Sequence, residues 1–538
     1  MIGLGRWFGV AVAGFALGWA FPPHGPWWLG PLAVAVFTLC MREQRTPAAG
    51  AMGFVFGMVF FTTLQTWMIV VGLDAWLLLS AICALWFIPV GIATAWVMRL
   101  RGWPIWVACV WVAEEAFRDR VPLGGYPWGR LAFTTGDSGL TGYAWLLGAP
   151  GVTFAMALVG ALLAYAALAV GSARGAGTAR TATLSVGIAV ACIVAMFVAM
   201  GHLRSLDRDS SNADGARTSG TVAVAVVQGN VPQAGLDFQG QREQVLRNHV
   251  QATLDLAARV KAGTTPAPAF VIWPENATDI DPYQDRQAAA LIQSAVDAVG
   301  VPVLVGAVAT NPRNPSTILN LGIVWHPKTA TSAGGPGQTY AKRHPVPFGE
   351  YIPARALIGG LTERFTLIPR DFAPGETPGV LDIGGVTIGD VICFEVAYDP
   401  EPRDVINGGA QLLVVQTNNA TYGNTGQPDQ QLAIEQLRAI EHDRMVLVAA
   451  TSGISAVIDH EGELLVRSAE FTQTVLSTNA ALANSRSPSD RLGEWPEWLI
   501  TVIAVLAVIL ARSQVRGRRQ HRVASHTPAA EREVERTP

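Results

Sequence analysis

The stretch GDVICFEVAYDP, residues 389–400, carries a short β-branched run into a cysteine, an aromatic residue and a carboxylate. A run of that length, bounded by turn-forming residues, reads as a buried strand. Cys393 therefore stands at a strand's carboxyl end, the rim where α/β sheets gather their ligands. The other four cysteines, Cys40, Cys83, Cys109 and Cys192, lie in long hydrophobic stretches. Cys393 has no neighbouring disulfide partner and is expected to be a free thiol.

Outward from this strand the same pattern repeats. Residues 221–230, 267–276, 301–309, 319–326, 385–395, 410–419 and 445–459 read as strands. Between them, 243–260, 285–299 and 430–444 space their apolar residues as helices do. Strands alternating with helices imply an α/β domain whose sheets are covered by helices. Two more strand ends carry reactive groups: FVIWPEN places Glu275 after a buried run, and QTYAKRHPVPFGEYIP places Lys342 after a short extended one. A thiolate is a nucleophile whose pKa a nearby lysine depresses, a carboxylate can take the thiol proton, and an ammonium with the backbone N–H of Phe394 can hold an oxyanion. Taken singly, each residue has a plainer reading: Cys393 as a small core hydrophobe, Glu275 as a strand-end cap, Lys342 as a solvated charge.

Farther out the composition changes. Half of the 538 residues are hydrophobic and only 15% charged, with a net charge of -3 that says little about partners. That balance suits a membrane protein bearing a large soluble part. Apolar segments at 7–22, 27–41, 50–72, 75–98, 103–117, 143–171, 183–201 and 496–511 are candidates to cross a hydrocarbon core. Arg6, Arg42, Arg45, Arg99, Arg101, Arg174, Arg180 and the tail RSQVRGRRQHR fall on one side, which the positive-inside rule makes cytoplasmic. Arg118, Arg120 and Arg130 are the minority against it. Both termini are then expected inside, with the segment from about 202 to 495 outside. Glu114 and Glu115, near the outer end of the fifth span, are unusual there, and Glu114 is placed to pair with Arg118 one turn on.

The order WPEN (273–276), YAKRHPVPFGEYIP (340–353) and GDVICFE (389–395) closely resembles the nitrilase, or carbon-nitrogen hydrolase, superfamily. With seven spans before it and one after, the chain is similar to that superfamily's membrane-embedded apolipoprotein N-acyltransferase family. GGYPWGRLAFT (124–134) resembles the family's GFPW-type segment, VVQGNVPQ (226–233) its opening strand, and PFGEYIP its most distinctive motif. The resemblance implies a multi-span α-helical membrane domain plus an exported α/β domain, a nitrilase-like αββα sandwich. The boundaries expected are a membrane domain at 1–201, a linker at 202–220, the catalytic domain at 221–488, a final span at 489–511 and a basic, disordered cytoplasmic tail at 512–538.

Carried over residue by residue, the resemblance implies Glu275 as general base, Lys342 as stabiliser of the tetrahedral intermediate and Cys393 as nucleophile. Glu350 matches a second glutamate that orients the triad, with neutralisation of Lys342 as its plainer reading, and Glu395 matches an acidic position. Two residues past Cys393 on the strand read at 385–395, Glu395 is expected on the same side as Cys393, which leaves two readings open, a place in the pocket or a pairing with an arginine. Phe394 stands where tyrosine is common and keeps the backbone N–H; SAGGPGQ (332–338) reads as an altered loop before the lysine. The reaction implied moves a fatty acyl chain from a membrane phospholipid, through a Cys thioester, to the α-amino group of an apolipoprotein's N-terminal S-diacylglyceryl-cysteine. No cofactor, metal or nucleic acid is expected: His249, His326, His344, His442 and His460 are scattered.

Lipid contact is expected from the Gly/Pro-punctuated stretch 352–375, whose Leu357, Ile358 and Phe365 read as part of a lipid-facing arm, and from Leu236 and Phe238 as a second lip. Packing on the sheet is the alternative for both. Two other functions remain open: a membrane-tethered nitrilase-like amidase, in which water resolves the same thioester, and a lipid-binding protein with no turnover.

Overall fold

The computed structural model describes residues 2–134, 136, 138–173, 176–214, 220–231, 242–360 and 362–524. Each of the eight apolar segments is helical: α1 Ile2–Trp19, α2 Leu29–Met41, α3 Thr46–Leu64, α4 Leu73–Leu85 with α5 Phe87–Val97, α6 Trp103–Arg118, α7 Tyr143–Gly171, α8 Ala176–Asp214 and, at the far end, a helix over Trp495–Ala524. Among the described residues, five segments are long and apolar enough to cross a membrane: Thr46–Leu64, Leu73–Val97, Tyr143–Gly171, Ala179–His202 and Trp495–Gln514. Small residues let these helices pack closely. A Cβ on Gly53 of α3 would lie 2.0 Å from the Phe87 carbonyl oxygen, and one on Gly91 of α5 2.2 Å from that of Ala49.

Two expected boundaries move. The linker read at 202–220 continues α8 as far as Asp214, because no glycine or proline interrupts 202–214. The tail read as disordered from 512 continues the last helix to Ala524, where Arg, Gln and Val sustain it.

Between these helices lies a two-sheet sandwich. Its elements are β1 Thr221–Gln228, α9 Arg242–Lys261, β2 Phe270–Ile272, α10 Arg286–Val299, β3 Val303–Thr310, β4 Ile318–His326, β5 Gly335–Ala341, a short α11 Arg355–Ile358, β6 Val380–Ile383, β7 Val386–Ile392, α12 Pro400–Asn407, β8 Leu412–Thr417, α13 Gln427–His442, β9 Val446–Ala450, β10 Ala456–Ile458, β11 Leu464–Arg467, β12 Thr474–Ala481 and α14 Pro488–Leu492, before α15, the Trp495–Ala524 helix. The sheets run β12-β1-β2-β3-β4-β5 and β11-β10-β9-β8-β7-β6. Each is built on a parallel triplet, β1-β2-β3 and β7-β8-β9. Such strands are buried on both faces, hence their β-branched composition.

The four strands absent from the expected set, β5, β6, β11 and β12, are the four sheet edges. β5 and β12 mix polar, Gly and Pro positions into the run, whereas β6 (VLDI) and β11 (LLVR) are largely apolar but only four residues long, too short to show a period, and β11 is exposed throughout. SAGGPGQ is accordingly only partly loop, since β5 begins at Gly335. The single strand expected at 445–459 is a hairpin of β9 and β10, turned at TSGIS (451–455), where Ser and Gly favour a reversal.

Val224, Val226, Ile272 and Leu304 of one sheet meet Ile388, Leu412, Val414 and Leu447 of the other. Each such side chain contributes about 1.5–3 kcal/mol on burial. Helices α9 and α10 cover the outer face of the first sheet. Helices α12 and α13 cover the second, and their cluster runs on into Phe37, Phe56, Phe61 and Trp111 of the membrane helices.

The parallel triplets set the rim. Strand β5 is antiparallel to β4 and β4 to β3, so β5 ends at the same edge as β2 and β3. The close approach there requires Gly306 in β3, where a Cβ would lie 2.0 Å from the Pro274 carbonyl oxygen and 2.8 Å from Glu275 Cα. Gly306→Ala is expected to cost about 1–3 kcal/mol by overpacking against backbone. The readout is a fall of a few degrees in the melting temperature of the detergent-solubilised protein; an unchanged value would show that the contact relaxes freely.

Candidate active site

Strand β7 ends at Ile392, and Cys393 turns the chain with φ +57° into a 3-10 turn, Cys393–Ala397. A non-glycine residue held there stores about 1–3 kcal/mol of strain. Glu395 restrains the turn from beneath. It accepts from Ile392 N at 2.9 Å, Tyr340 OH at 2.8 Å, Arg343 N at 2.6 Å and His344 N at 2.9 Å. The expectation that Glu395 shares a face with Cys393 is therefore wrong: strand alternation stops at Ile392, and Glu395 folds back, fully buried, to bind the cysteine turn to the segment after Lys342. Burial, then Glu401, pushes its pKa up to about 7, against the pull of Lys342 and of its backbone donors.

Glu275, Lys342 and Glu350 meet beside the cysteine turn. Lys342 Nζ lies 3.2 Å from Glu275 Oε1 and 3.0 Å from Glu350 Oε2. Asn320, at the start of β4, donates to both carboxylates, at 2.7 Å to Glu275 and 3.0 Å to Glu350. Asn418 N donates to Glu275 Oε2 at 2.8 Å, and Val346 N to Glu350 Oε2 at 2.6 Å. Both carboxylates are thus fixed in direction as well as position. Burial pulls the Lys342 pKa down, but the carboxylates of Glu275 and Glu350 outweigh it and hold the ammonium well above its ordinary value.

The Cys393 sulfur accepts a hydrogen bond from Thr417 Oγ1 at 3.3 Å. Burial and then the charge of Glu275 push its thiol pKa up to about 12, although Lys342 and Thr417 oppose them. The site thus brings together a thiol whose ionisation burial opposes, an ammonium held charged and two positioned carboxyl groups. This arrangement can generate a thiolate on demand by moving one proton.

The Phe394 ring seats the turn on the membrane-side loop GGYPWGR (124–130). It stacks on Trp128 at 5.5 Å between centroids and 9° between planes, and on Tyr126 at 5.9 Å. Arg118 holds that loop through the carbonyls of Tyr126 and Trp128 at 2.6 and 2.7 Å, and pairs with Glu114 at 2.7 Å as its spacing suggests. Gln430 of α13 accepts from both Trp67 and Trp128. Asp399, six residues after the cysteine, is shared by Arg130 and Arg438 at 2.7 Å each, and Arg438 also caps the carbonyls of Val396 and Ala397. Asn320, Thr417, Asn418, Gln430 and Arg438 were absent from the expected site. Their common feature is polarity at buried strand ends and on the buried face of α13, which also holds Gln427, Gln431, Glu435 and Glu441.

In the arm, Leu357 is 82% exposed, Phe365 is half-buried against Phe348, and Arg364 reaches Asp74 of α4 at 2.7 Å. Ile358 closes α11, and Leu236 and Phe238 lie outside the described residues. His344, Glu395 and Glu401 bring ligand atoms within 4.8 Å of one another. Their donor set suits a metal poorly, because Arg343 occupies Glu401 at 2.5 Å and four donors occupy Glu395.

Sandwich and site together define the carbon-nitrogen hydrolase class, and residues 223–487 match the carbon-nitrogen hydrolase domain family. Residues 13–162 match the apolipoprotein N-acyltransferase N-terminal domain. An apolipoprotein N-acyltransferase of Mycolicibacterium smegmatis is 37% identical over 509 residues, 93% of this chain and 84% of that one. Another, of Photobacterium profundum, is 26% identical over 95% of this chain and 96% of its own. Among solved structures, an amidase from Nesterenkonia sp. aligns over 51% of this chain and 94% of its own, with 17% identity and a TM-score of 0.36. The chain belongs to the apolipoprotein N-acyltransferase family.

The raised thiol pKa has a measurable sign. Deprotonation makes the reactive species, so alkylation of Cys393 by iodoacetamide should still be rising with pH above pH 9, where an ordinary thiol of pKa about 8.5 levels off. Mass spectrometry of the Cys393 peptide reads this rate; a plateau below pH 9 would contradict the high pKa.

Proposed function

We propose that this chain transfers a fatty acyl chain from a membrane phospholipid, through a thioester on Cys393, to the free α-amino group of a diacylglyceryl-cysteine at the N-terminus of an apolipoprotein. The observation that carries the reading is the buried Lys342 ammonium between two carboxylates beside Cys393, on a sandwich docked against apolar helices. Glu275 takes the thiol proton as the sulfur attacks the phospholipid ester. Lys342 and the Phe394 N–H hold the resulting oxyanion. The intermediate collapses by breaking the ester C–O bond, and Glu275 returns the proton to the departing lysophospholipid oxygen. In the second half the amine attacks the thioester, Glu275 accepts its proton, the C–S bond breaks and the thiolate is reprotonated, leaving an amide.

Glu350 orients Lys342, and Glu395 holds the turn that presents Cys393. Residues 1–201 and the final span anchor the enzyme, with both termini cytoplasmic and the catalytic domain, 221–488, outside, as the basic residues prescribe. Membrane attachment serves the donor, since each methylene drawn into water costs about 0.8 kcal/mol. Leu357 and Phe365 of the arm meet the acyl chain at the bilayer surface.

Incubated with a diacyl phospholipid and no acceptor, the purified protein should gain one acyl mass that neutral hydroxylamine removes. Cys393→Ala should gain none, and Glu275→Gln should acylate about 10²–10⁴-fold more slowly. Added diacylglyceryl-cysteine peptide should discharge the adduct as an amide. Release of free fatty acid instead would identify a hydrolase, and absence of any adduct would remove the acyltransferase reading.

A further inference from the structure

Thr417 closes β8 with its side chain buried, and its hydroxyl is aimed at the reacting atom: Oγ1 lies 3.3 Å from Cys393 Sγ. A hydroxyl has one proton, so its direction depends on what else the oxygen meets. Gln431 of α13 donates Nε2 to Thr417 Oγ1 at 3.0 Å, which leaves the proton free for the sulfur or for Asn419 Oδ1, also 3.3 Å away. The Gln431 amide is held on every side. Its Nε2 also faces Glu435 Oε1 at 3.0 Å, and its Oε1 accepts from Asn419 Nδ2 at 3.0 Å and from Gln427 Nε2 at 3.3 Å. All of these groups are buried.

The chemistry gives this hydroxyl a use. The sulfur becomes a thiolate twice, once when its proton leaves and once when it is expelled from the thioester. Both times the sulfur carries its negative charge near the Glu350 carboxylate and a Glu275 that has just taken a proton. Lys342 is already shared between those carboxylates. A neutral donor adds stabilisation without adding another charge, and it binds a thiolate more strongly than a thiol or thioester sulfur. Interactions stronger at the developing charge than in the ground state are those that accelerate a reaction.

We propose that Thr417 is a further catalytic residue, donating its hydroxyl to the Cys393 sulfur whenever the thiolate forms, and that Gln431 is the positioning residue that aims it. The proposal rests on Cys393 being the nucleophile. It accounts for a buried glutamine–threonine pair in a layer where apolar side chains would otherwise pack.

The test uses the full-length, detergent-solubilised protein as Thr417→Val, which keeps the shape and loses the hydroxyl, Thr417→Ser, which keeps the hydroxyl, and Gln431→Met. Two rates are read: iodoacetamide alkylation of Cys393 across pH, and thioester formation from a diacyl phospholipid. Loss of one hydrogen bond to a charged group predicts that Thr417→Val moves the alkylation profile up by about one pH unit and slows thioester formation about tenfold to a hundredfold. Thr417→Ser should restore both, and Gln431→Met should move the profile the same way by less. Wild-type profiles and rates in Thr417→Val, or a Thr417→Ser as impaired as the valine variant, would overturn the proposal. So would an unmoved profile in Gln431→Met if Thr417→Val failed to fold. A wild-type protein that alkylates at Cys393 but forms no thioester would instead overturn the acyltransferase reading, and the alkylation comparison would still decide the role of Thr417.

Discussion

An ammonium shut away from water stays charged only where carboxylates surround it, and Lys342 is such a group, bracketed by Glu275 and Glu350. Removing one partner of a buried pair of this kind costs on the order of 3–5 kcal/mol, because the charge left behind has no solvent to return to. Much of the sandwich can be understood as the means of assembling this one arrangement. Glu275 arrives from the end of β2, Lys342 from the end of β5, and Glu350 from the loop that follows. Asn320 on β4 bridges the two carboxylates. Each comes from a different element, so a shift of any one strand would leave a charge unpaired. The electrostatics therefore oppose a loosely packed version of the site as strongly as they favour the formed one.

The same constraint explains why the second sheet must be locked to the first. Gln416 of β8 donates to the Trp273 carbonyl at 2.5 Å, and Thr451 to the Glu275 carbonyl at 2.8 Å, so the strand that delivers the carboxylate is tied to the sheet that delivers the thiol. On the far side the cysteine turn is gripped by the membrane-side loop, through the Phe394 stack and the sharing of Asp399 between Arg130 and Arg438. Cys393 thus sits where the sandwich and the helices meet, and neither can move far without moving it. Aromatic stacking at this junction gives Phe394 a structural use: its flat face lies on Trp128, 9° between planes.

Legibility in the sequence follows burial. The parallel central strands are β-branched and bounded by turns, so they announce themselves; of the four edges, β5 and β12 are diluted by polar residues and β6 and β11 are only four residues long, so they do not. Glu275, Lys342 and Cys393 were legible because each ends such a run or follows an extended one, and because their order resembles a known family. Glu395 was placed on the wrong face because a period of two was carried past Ile392 into a turn that no propensity at 393 foretells; only the left-handed φ of Cys393 reveals it. Thr417 and Asn320 were invisible for a different reason. A polar residue within a strand looks like an ordinary strand residue until the fold shows which atom it faces, and that depends on neighbours 24 to 45 positions away.

The high thiol pKa follows first from burial and then from the acids gathered around the lysine, and it bears on how such a site persists. Only the thiolate reacts readily with oxidants and electrophiles. Glu275 beside a buried sulfur discourages ionisation at rest, yet it is also the group able to receive the proton when a carbonyl carbon is in place to be attacked. One carboxylate therefore opposes the thiolate electrostatically and enables it chemically. The two effects are separated by the proton itself: once Glu275 has taken it, its charge no longer adds to the burial that opposes the anion, and Lys342 and Thr417 are left as neighbours that favour the anion. In the proposed mechanism proton transfer and nucleophile activation are one event, and Glu350, 3.0 Å from Lys342, is the carboxylate that would keep the lysine paired while Glu275 is neutral.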